Sequence, residues 1–234
     1  MTRPAGFLAV MAGRRSPPKA LDFFPTPPWA TRAFVEFVLA PSLEFTGWEP
    51  RDLCGWDPCC GEGHMVETLK ETLGSCRGSD VFDYGTGYEV ADALEPGAFD
   101  RPSDLIVTNP PFNIAAGIVL AALTSSFAPQ RFGVFVLVRS QWFGGGTRFR
   151  KLFSRFPPTI HAPYVERVPM VAGRYNPKKS TATDYCWLGW TKSRGRLSDP
   201  VTFIPPCRKR LELSRDILRW CPPADAPLFD GAVA

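Results

Sequence analysis

Asn109-Pro110-Pro111-Phe112 is the run of residues whose types and order point most directly to chemistry. Proline has a fixed φ and no N–H, and it disfavours helix in the residue before it. Two in succession therefore end a preceding strand stiffly and set the direction of Asn109. The Asn109 side-chain oxygen and the Pro110 carbonyl can then both accept hydrogen bonds from one NH₂ group. An aromatic amine is a poor nucleophile because its lone pair is delocalised into the ring. Holding both N–H bonds out of plane localises that pair toward an incoming methyl group, and the fixed oxygen dipoles stabilise the positive charge that develops on nitrogen. Phe112 offers a ring on which such a base can stack once it has left the duplex. The competing structural explanation is a Pro-rich connector with a core Phe.

A second group consists of carboxylates at successive strand ends. Asp57-Pro58-Cys59-Cys60-Gly61-Glu62-Gly63 sits where a strand turns into a helix, and glycines there allow close approach of backbone to a ligand. Taken alone it is equally an ordinary tight turn. Asp80, about twenty residues beyond the glycines, is placed to accept the ribose hydroxyls of a nucleoside. Asp92, after a third strand, is placed to accept a hydrogen bond from an adenine amino group. Each Asp singly fits a surface or capping role, but ligands of open α/β sheets collect at the carboxyl ends of the strands, so the ordered series of three carries more weight.

The elements needed to hold these residues are legible in the hydrophobic pattern. Strands are expected at 53–56, 77–81, 89–93, 104–108 and 133–138, with a late strand at 184–190. Helices are expected after Pro27-Pro28, at 64–73 and at 114–127, and a basic amphipathic helix at 208–220. Residues 157–174 are less regular and 175–183 read as a loop. Strands alternating with helices imply an α/β fold with a doubly wound, mostly parallel sheet. Residues 1–20, rich in Arg, Pro and Gly, read as a mobile arm, 21–220 as one domain and 221–234 as a fraying tail. Gly144-Gly145-Gly146, followed by Thr147, Arg148, Arg150 and Lys151, reads as a mobile loop able to grip phosphates or push out a base. A plain flexible surface loop is the alternative.

Bulk properties bound the function. The 234 residues, 44% of them hydrophobic, suit one α/β domain. No long apolar run or cleavable leader is evident, so a cytoplasmic protein without membrane contact is expected. Seven cysteines without a CxxC pair make neither a disulfide framework nor a zinc site, and no metal is expected. The net charge of +4 conceals an asymmetry: residues 1–138 hold 10 Lys and Arg against 16 Asp and Glu, whereas residues 139–219 hold 17 against 5. A basic region of this kind fits a polyanionic partner, and equally a solvated surface. Tyr175 to Lys179 with Lys192, Arg194 and Arg196 offer a further phosphate-binding edge. No obligate protein partner is indicated.

The tetrapeptide at 109–112 resembles the catalytic motif of amino-methylating methyltransferases, and Asp57 to Gly63 looks like their cofactor loop. Phe24-Pro25-Thr26-Pro27-Pro28-Trp29-Ala30-Thr31 is similar to the element that precedes that loop in adenine-specific DNA methyltransferases, especially compact phage-type ones. Lesser similarity lies in 138–143, 155–158 and 184–190, so the resemblance spans roughly 21–191. It implies the class I, Rossmann-like methyltransferase fold with an antiparallel late strand, S-adenosylmethionine as cofactor, and N6 of adenine in DNA as acceptor. It also implies cofactor contacts from Phe24, Thr26, Pro27, Asp57, Pro58, Gly61, Gly63, Asp80, Asp92 and Asn109, and catalytic roles for Asn109, Pro110, Pro111 and Phe112. Cys59-Cys60 and Glu62 stand where small residues are common in the family. The alternatives are an RNA adenine or protein glutamine methyltransferase, since the same corner serves any planar amine or amide, and a silent nucleic-acid-binding relative. Little chain remains for a large recognition domain, so a short or relaxed sequence preference is expected.

Overall fold

The computed structural model describes residues 23–128, 130–197, 199 and 201–221; the expected arm at 1–20 and all but the first residue of the expected tail lie outside them. Among the described residues seven strands occur in chain order: β1 (Cys54–Asp57), β2 (Ser75–Asp80), β3 (Glu89–Val90), β4 (Leu105–Thr108), β5 (Gly133–Arg139), β6 (Ile160–Pro163) and β7 (Tyr185–Thr191). They form one sheet in the order β3-β2-β1-β4-β5-β7-β6. Neighbours from β3 to β5 are parallel, and β7 runs antiparallel to both β5 and β6. The expected α/β sheet with its antiparallel late strand is present. Its strand order reverses between β1 and β4, the place where ligands of such sheets bind.

The continuous apolar runs explain the centre of the sheet. Every residue of β4, and every residue of β5 before Arg139, is buried, as strands covered on both faces must be. Leu105 and Val107 face one layer of core while Ile106 faces the other, following the two-residue strand period. The first layer is formed with α1 (Pro28–Phe34), a π turn at Val35–Leu39, and α2 (Ala40–Leu43). There Phe34 packs 4.3 Å from Trp187 and 5.1 Å from Phe135, ring centre to ring centre. α3 (His64–Leu69) lies on the same face and α4 (Ala115–Thr124) covers the other.

Two expectations change. Residues 160–163, within the stretch read as irregular, form the edge strand β6; Pro163 closes it, and an edge is where a strand tolerates proline. The helix expected at 208–220 is two pieces, α6 (Arg208–Leu211) and α7 (Ser214–Trp220), after the three-residue α5 (Gly146–Arg148). The break at Glu212 and Leu213 follows from Asp216, whose carboxylate accepts the Leu213 N–H and the Arg32 guanidinium. Arg32 also bonds Glu71 and the Leu211 carbonyl, so one side chain of α1 holds both helix pieces and α3's trailing turn.

The segment expected as a mobile loop contains regular turns. Ser140–Phe143 forms a 3₁₀ turn, and α5 runs into a π turn at Phe149–Phe153. Arg148 donates to the carbonyls of Trp142 and Gly144, and its guanidinium lies 4.4 Å over the Trp142 ring. That cation is committed to its own loop rather than available to a phosphate.

Arg32→Met is expected to lower the unfolding free energy by about 3 kcal/mol, because it strands the buried Asp216 carboxylate without a counter-ion. Urea denaturation reads this as a lower midpoint at unchanged slope. Adding Asp216→Leu to the same chain should recover most of the loss.

Candidate active site at the carboxyl ends of β1, β2 and β4

β1 ends in Asp57, β2 ends in Asp80, Asp92 follows β3, and Asn109 follows β4. Parallel pairing of these strands puts all four residues at one edge of the sheet. They line one cavity, which encloses about 860 Å³ of empty space including its mouth. Phe24, Pro25 and Thr26 form the wall opposite the strand ends, and Ile114 and Ile118, around the start of α4, add an apolar side. Asn109 and the turn at Pro58, Cys59 and Cys60 therefore share a cavity.

Asn109 is held in one orientation. Its Nδ2 donates to the Phe24 carbonyl at 2.9 Å and to Thr26 Oγ1 at 3.1 Å, with Met170 Sδ at 3.5 Å. A main-chain carbonyl can only accept, so the nitrogen must face Phe24 and Oδ1 must be the end left to accept from a ligand. The Thr-Pro segment is thus tied to the asparagine corner as well as lining the cavity.

Asp57 and Asp92 are buried and Asp80 is half-buried, and burial raises the pKa of Asp57 and Asp80. Asp57 is pushed up to about 7, first by burial and less by the charge of Asp80; the Cys59 N–H, 3.0 Å from Oδ1, works in the opposite direction. Asp80 is pushed up to about 6, again by burial, against hydrogen bonds from the backbone N–H groups of Gly61 at 2.8 Å and Phe82 at 3.1 Å. A carboxylate has about four lone-pair positions, so Asp80 keeps capacity for donors from the cavity. Asp92, buried, accepts from the Leu94 N–H at 2.9 Å. Among the described residues no lysine or arginine lines this cavity.

Not every residue singled out in the sequence reaches the cavity wall. Gly61 has φ +54°, gives its N–H to Asp80, and lies under Phe23, whose ring would sit 2.4 Å from an added Cβ. Gly63, at φ +92°, is packed by Tyr88, 2.3 Å from where its Cβ would be. Both glycines are required by protein packing and left-handed backbone. Pro27 is buried at the start of α1, where its carbonyl takes the Ala30 N–H. Pro110 is buried beside the cavity without lining it.

Phe112 faces elsewhere. It lines a second cavity of about 590 Å³ with Asn113, Arg139, Gln141, Trp142, Gly144 and Arg148, and the Arg139 guanidinium lies 4.7 Å from its ring centre. Asn113 borders both cavities, so the 109–113 segment is their dividing wall. Sequence reading passed over Phe23, Tyr84, His64 and Asn113, all on the first cavity's wall. Only Asn113 carried a signal, its place directly after the motif.

The chain superposes on a protein of Pyrococcus horikoshii provisionally assigned as an RNA methyltransferase, with a TM-score of 0.53 and 16% identity over 80% of this chain and 94% of that one. It superposes on a protein of Listeria monocytogenes, provisionally assigned as a class I S-adenosylmethionine-dependent methyltransferase, with a TM-score of 0.50 and 13% identity, covering 77% of this chain and 65% of that one. At such identities the likeness establishes the fold, which is the class I methyltransferase fold. No protein-family model matches the chain, and no curated protein does.

In the ligand-free protein, side-chain carboxyl ¹³C shifts of Asp57 and Asp80 are expected to titrate with midpoints near 7 and 6, far above the ~3.9 of a solvated Asp. Asp80→Asn should lower the Asp57 midpoint by removing a like charge. Midpoints near 4 for both would mean that water reaches the cavity floor.

Proposed function

We propose that this protein transfers a methyl group from S-adenosylmethionine to the N6 amino group of adenine in DNA, by direct in-line transfer to a base taken out of the duplex. The observation that carries the reading is the Asn109 amide. With its nitrogen fixed by Phe24 and Thr26, its oxygen is held as an acceptor on the wall of a cavity floored by Asp57, Asp80 and Asp92.

The residues present fit the cofactor. Asp80 retains acceptor capacity for ribose hydroxyls, Asp92 lies farther along the same wall, and Ile114 and Ile118 supply an apolar surface for a purine. The bound cofactor would supply an electrophilic methyl group on a sulfonium. Asn109 Oδ1 and the Pro110 carbonyl accept the two N–H bonds of the acceptor amine, turn its lone pair out of the ring plane and stabilise the charge that grows on nitrogen. Pro110 and Pro111 keep those acceptors from rotating, so no reorganisation is needed during the reaction. A general base with a tuned pKa is not required.

DNA as the substrate draws support from the second cavity. Phe112, on the far side of the dividing wall, carries the Arg139 guanidinium 4.7 Å from its ring centre and gives that side an aromatic and cationic lining suited to a nucleic acid. Beyond it Phe143 and Phe149 are exposed, and Arg150, Lys151 and Arg155 are exposed cations outside the ion pairs of the described residues. Aromatic rings interleaved with such cations suit a nucleic acid.

Incubation with plasmid DNA and labelled cofactor, followed by nucleoside analysis, is expected to give N6-methyladenine; label in RNA alone would transfer the reading to RNA. Asn109→Ala should lower kcat by about 10³-fold or more while cofactor affinity changes little. Thr26→Val, which leaves Nδ2 one acceptor fewer, should lower kcat by about tenfold, roughly the worth of one hydrogen bond.

A cation entering the cavity favours ionised Asp57 and Asp80, so cofactor binding at pH 6.5 should release about one proton. The sign follows from midpoints near 7 and 6, between which the two groups together hold about one proton in the free protein. Calorimetry in buffers of different ionisation enthalpy reads it, and the release should vanish by pH 8.5. Proton uptake at pH 6.5 would contradict the assignment.

A further inference from the structure

A third cavity lies at the opposite edge of the sheet from the candidate active site. Gly133 and Val134 at the start of β5 and Thr191 at the end of β7 border it, and it encloses about 730 Å³ of empty space including its mouth. Arg131, Arg155 and Lys192 line it, and among the described residues no carboxylate does. Arg131 is 2% exposed, and its N–H groups all go to neutral oxygens: the carbonyls of Phe99, Arg101 and Ala122 and the hydroxyls of Ser103 and Ser125. Asp100 offsets part of that charge through space. A buried cation with no ion-pair partner extends its field into the space beside it, because a low dielectric screens it little. Phe132, Phe156 and Trp190 supply aromatic wall, and the Arg155 guanidinium lies 5.5 Å from the Phe156 ring centre.

One stretch of chain joins this cavity to the second one. Arg148, at its start, borders the second cavity, and Arg155 and Phe156, at its end, border the third. Between them α5 and the π turn at Phe149–Phe153 bury Leu152 and leave Phe149, Arg150 and Lys151 exposed. Arg150, Lys151 and Arg155, all exposed, form no ion pair among the described residues. A path of cations therefore leads from one end of β5, where Arg139 borders the second cavity, to the other, where Gly133 borders the third. The seven residues of β5, at ~3.3 Å each, set its length at about 20 Å.

We propose that this path carries the flank of the DNA whose adenine enters the active site, with Arg150 and Lys151 on its phosphates and the third cavity taking a phosphate at the far end. It rests on the proposed function, to which it adds a footprint. A duplex rises ~3.4 Å per base pair, so the far contact falls about six base pairs from the target base. Arg155, exposed at the mouth, gives the hydrogen bonds, while Arg131, its N–H groups committed, contributes charge alone. A small free anion would be served by the cavity by itself. The strip that leads to it fits a partner whose charge repeats along its length.

The test uses the full chain and duplexes built around an adenine that it methylates in plasmid DNA. One duplex has about ten base pairs on either side of that adenine and the other about four, beyond and short of the far contact. An uncharged linker closes one end of each and keeps it paired. Wild type is expected to show a KM at least about tenfold lower on the longer duplex at similar kcat, the scale of one hydrogen bond between charged groups. Arg155→Gln should cut that preference to below about threefold. Replacing Arg150, Lys151 and Arg155 together by Gln should lower the slope of log KM against log salt on the longer duplex by about 2 to 3, at ~0.9 per phosphate contact. Arg51→Gln, which removes an equal charge paired with Glu49 away from the path, should keep the preference. If plasmid DNA gains no N6-methyladenine, the proposed function fails and the path with it. If both duplexes are used equally well, or the preference survives in Arg155→Gln, the proposed function stands and the path is refuted. Equal loss of the preference in Arg51→Gln would reduce it to net charge and refute the path as well.

Discussion

The amide of Asn109 needs acceptors for its nitrogen, and the protein supplies them from 85 and 83 residues away in the chain. That demand ties the segment before α1 to the end of β4, across the mouth of the sheet. That segment shares the cavity with the carboxylates at the ends of β1 and β2, whose burial raises their pKa values. An oriented oxygen and the cavity wall facing two carboxylates are thus linked by a pair of hydrogen bonds made by the other end of the same amide. The proline pair makes this economical: a strand stopped by Asn-Pro-Pro arrives at the corner with its backbone already committed.

Much of the fold could be read from local chemistry. β4 and β5 are continuous apolar runs, which is what burial on both faces demands, and the strand ends fall at Asp57, Asp80 and Asn109 because polar residues and prolines stop them there. What escaped had a non-local cause. β6 is four residues long and exists through its pairing with β7, and the break in the C-terminal helix is imposed by Arg32 of α1. In the site, the three aspartates and the asparagine could be found by their positions at strand ends. Phe23, Tyr84 and His64 could not, because a lone ring in a turn or a lone His opening a helix has no pattern of its own; only the fold brings them to the cavity. Gly61 and Gly63 were legible as necessary, but their partners are Phe23 and Tyr88, which no spacing announces.

The lopsided charge of the chain has a structural use that composition alone does not reveal. Several cations of the basic region pair with acids of the acidic half: Arg196 with Glu44, Arg210 with Glu36, Arg215 with Glu71 and Arg219 with Glu67. Exposed pairs of this kind contribute little each, about 0–1 kcal/mol, but they set the orientation of α6 and α7 on the first half of the domain. The cations that remain outside such pairs are fewer than the count suggests, and they include Arg150, Lys151, Arg155, Lys178 and Lys179. A polyanion would meet these, and salt would weaken its binding accordingly.

The two cavities differ in electrostatic character as they differ in shape. Among the described residues the first is lined by Asp57, Asp80 and Asp92 with no lysine or arginine, and the second by Arg139 and Arg148 with no carboxylate. Between them stands the 109–113 segment. On the proposed reading a cationic donor sits on the acidic side and the phosphodiester backbone of the substrate on the basic side, while the acceptor base reaches Asn109 Oδ1 in the first cavity. On that reading the carboxylates also discriminate along the reaction. A sulfonium is stabilised by buried carboxylates and its neutral thioether product is not, so transfer removes part of what holds the ligand in place. On the same reading these acids favour both capture of the donor and departure of its product.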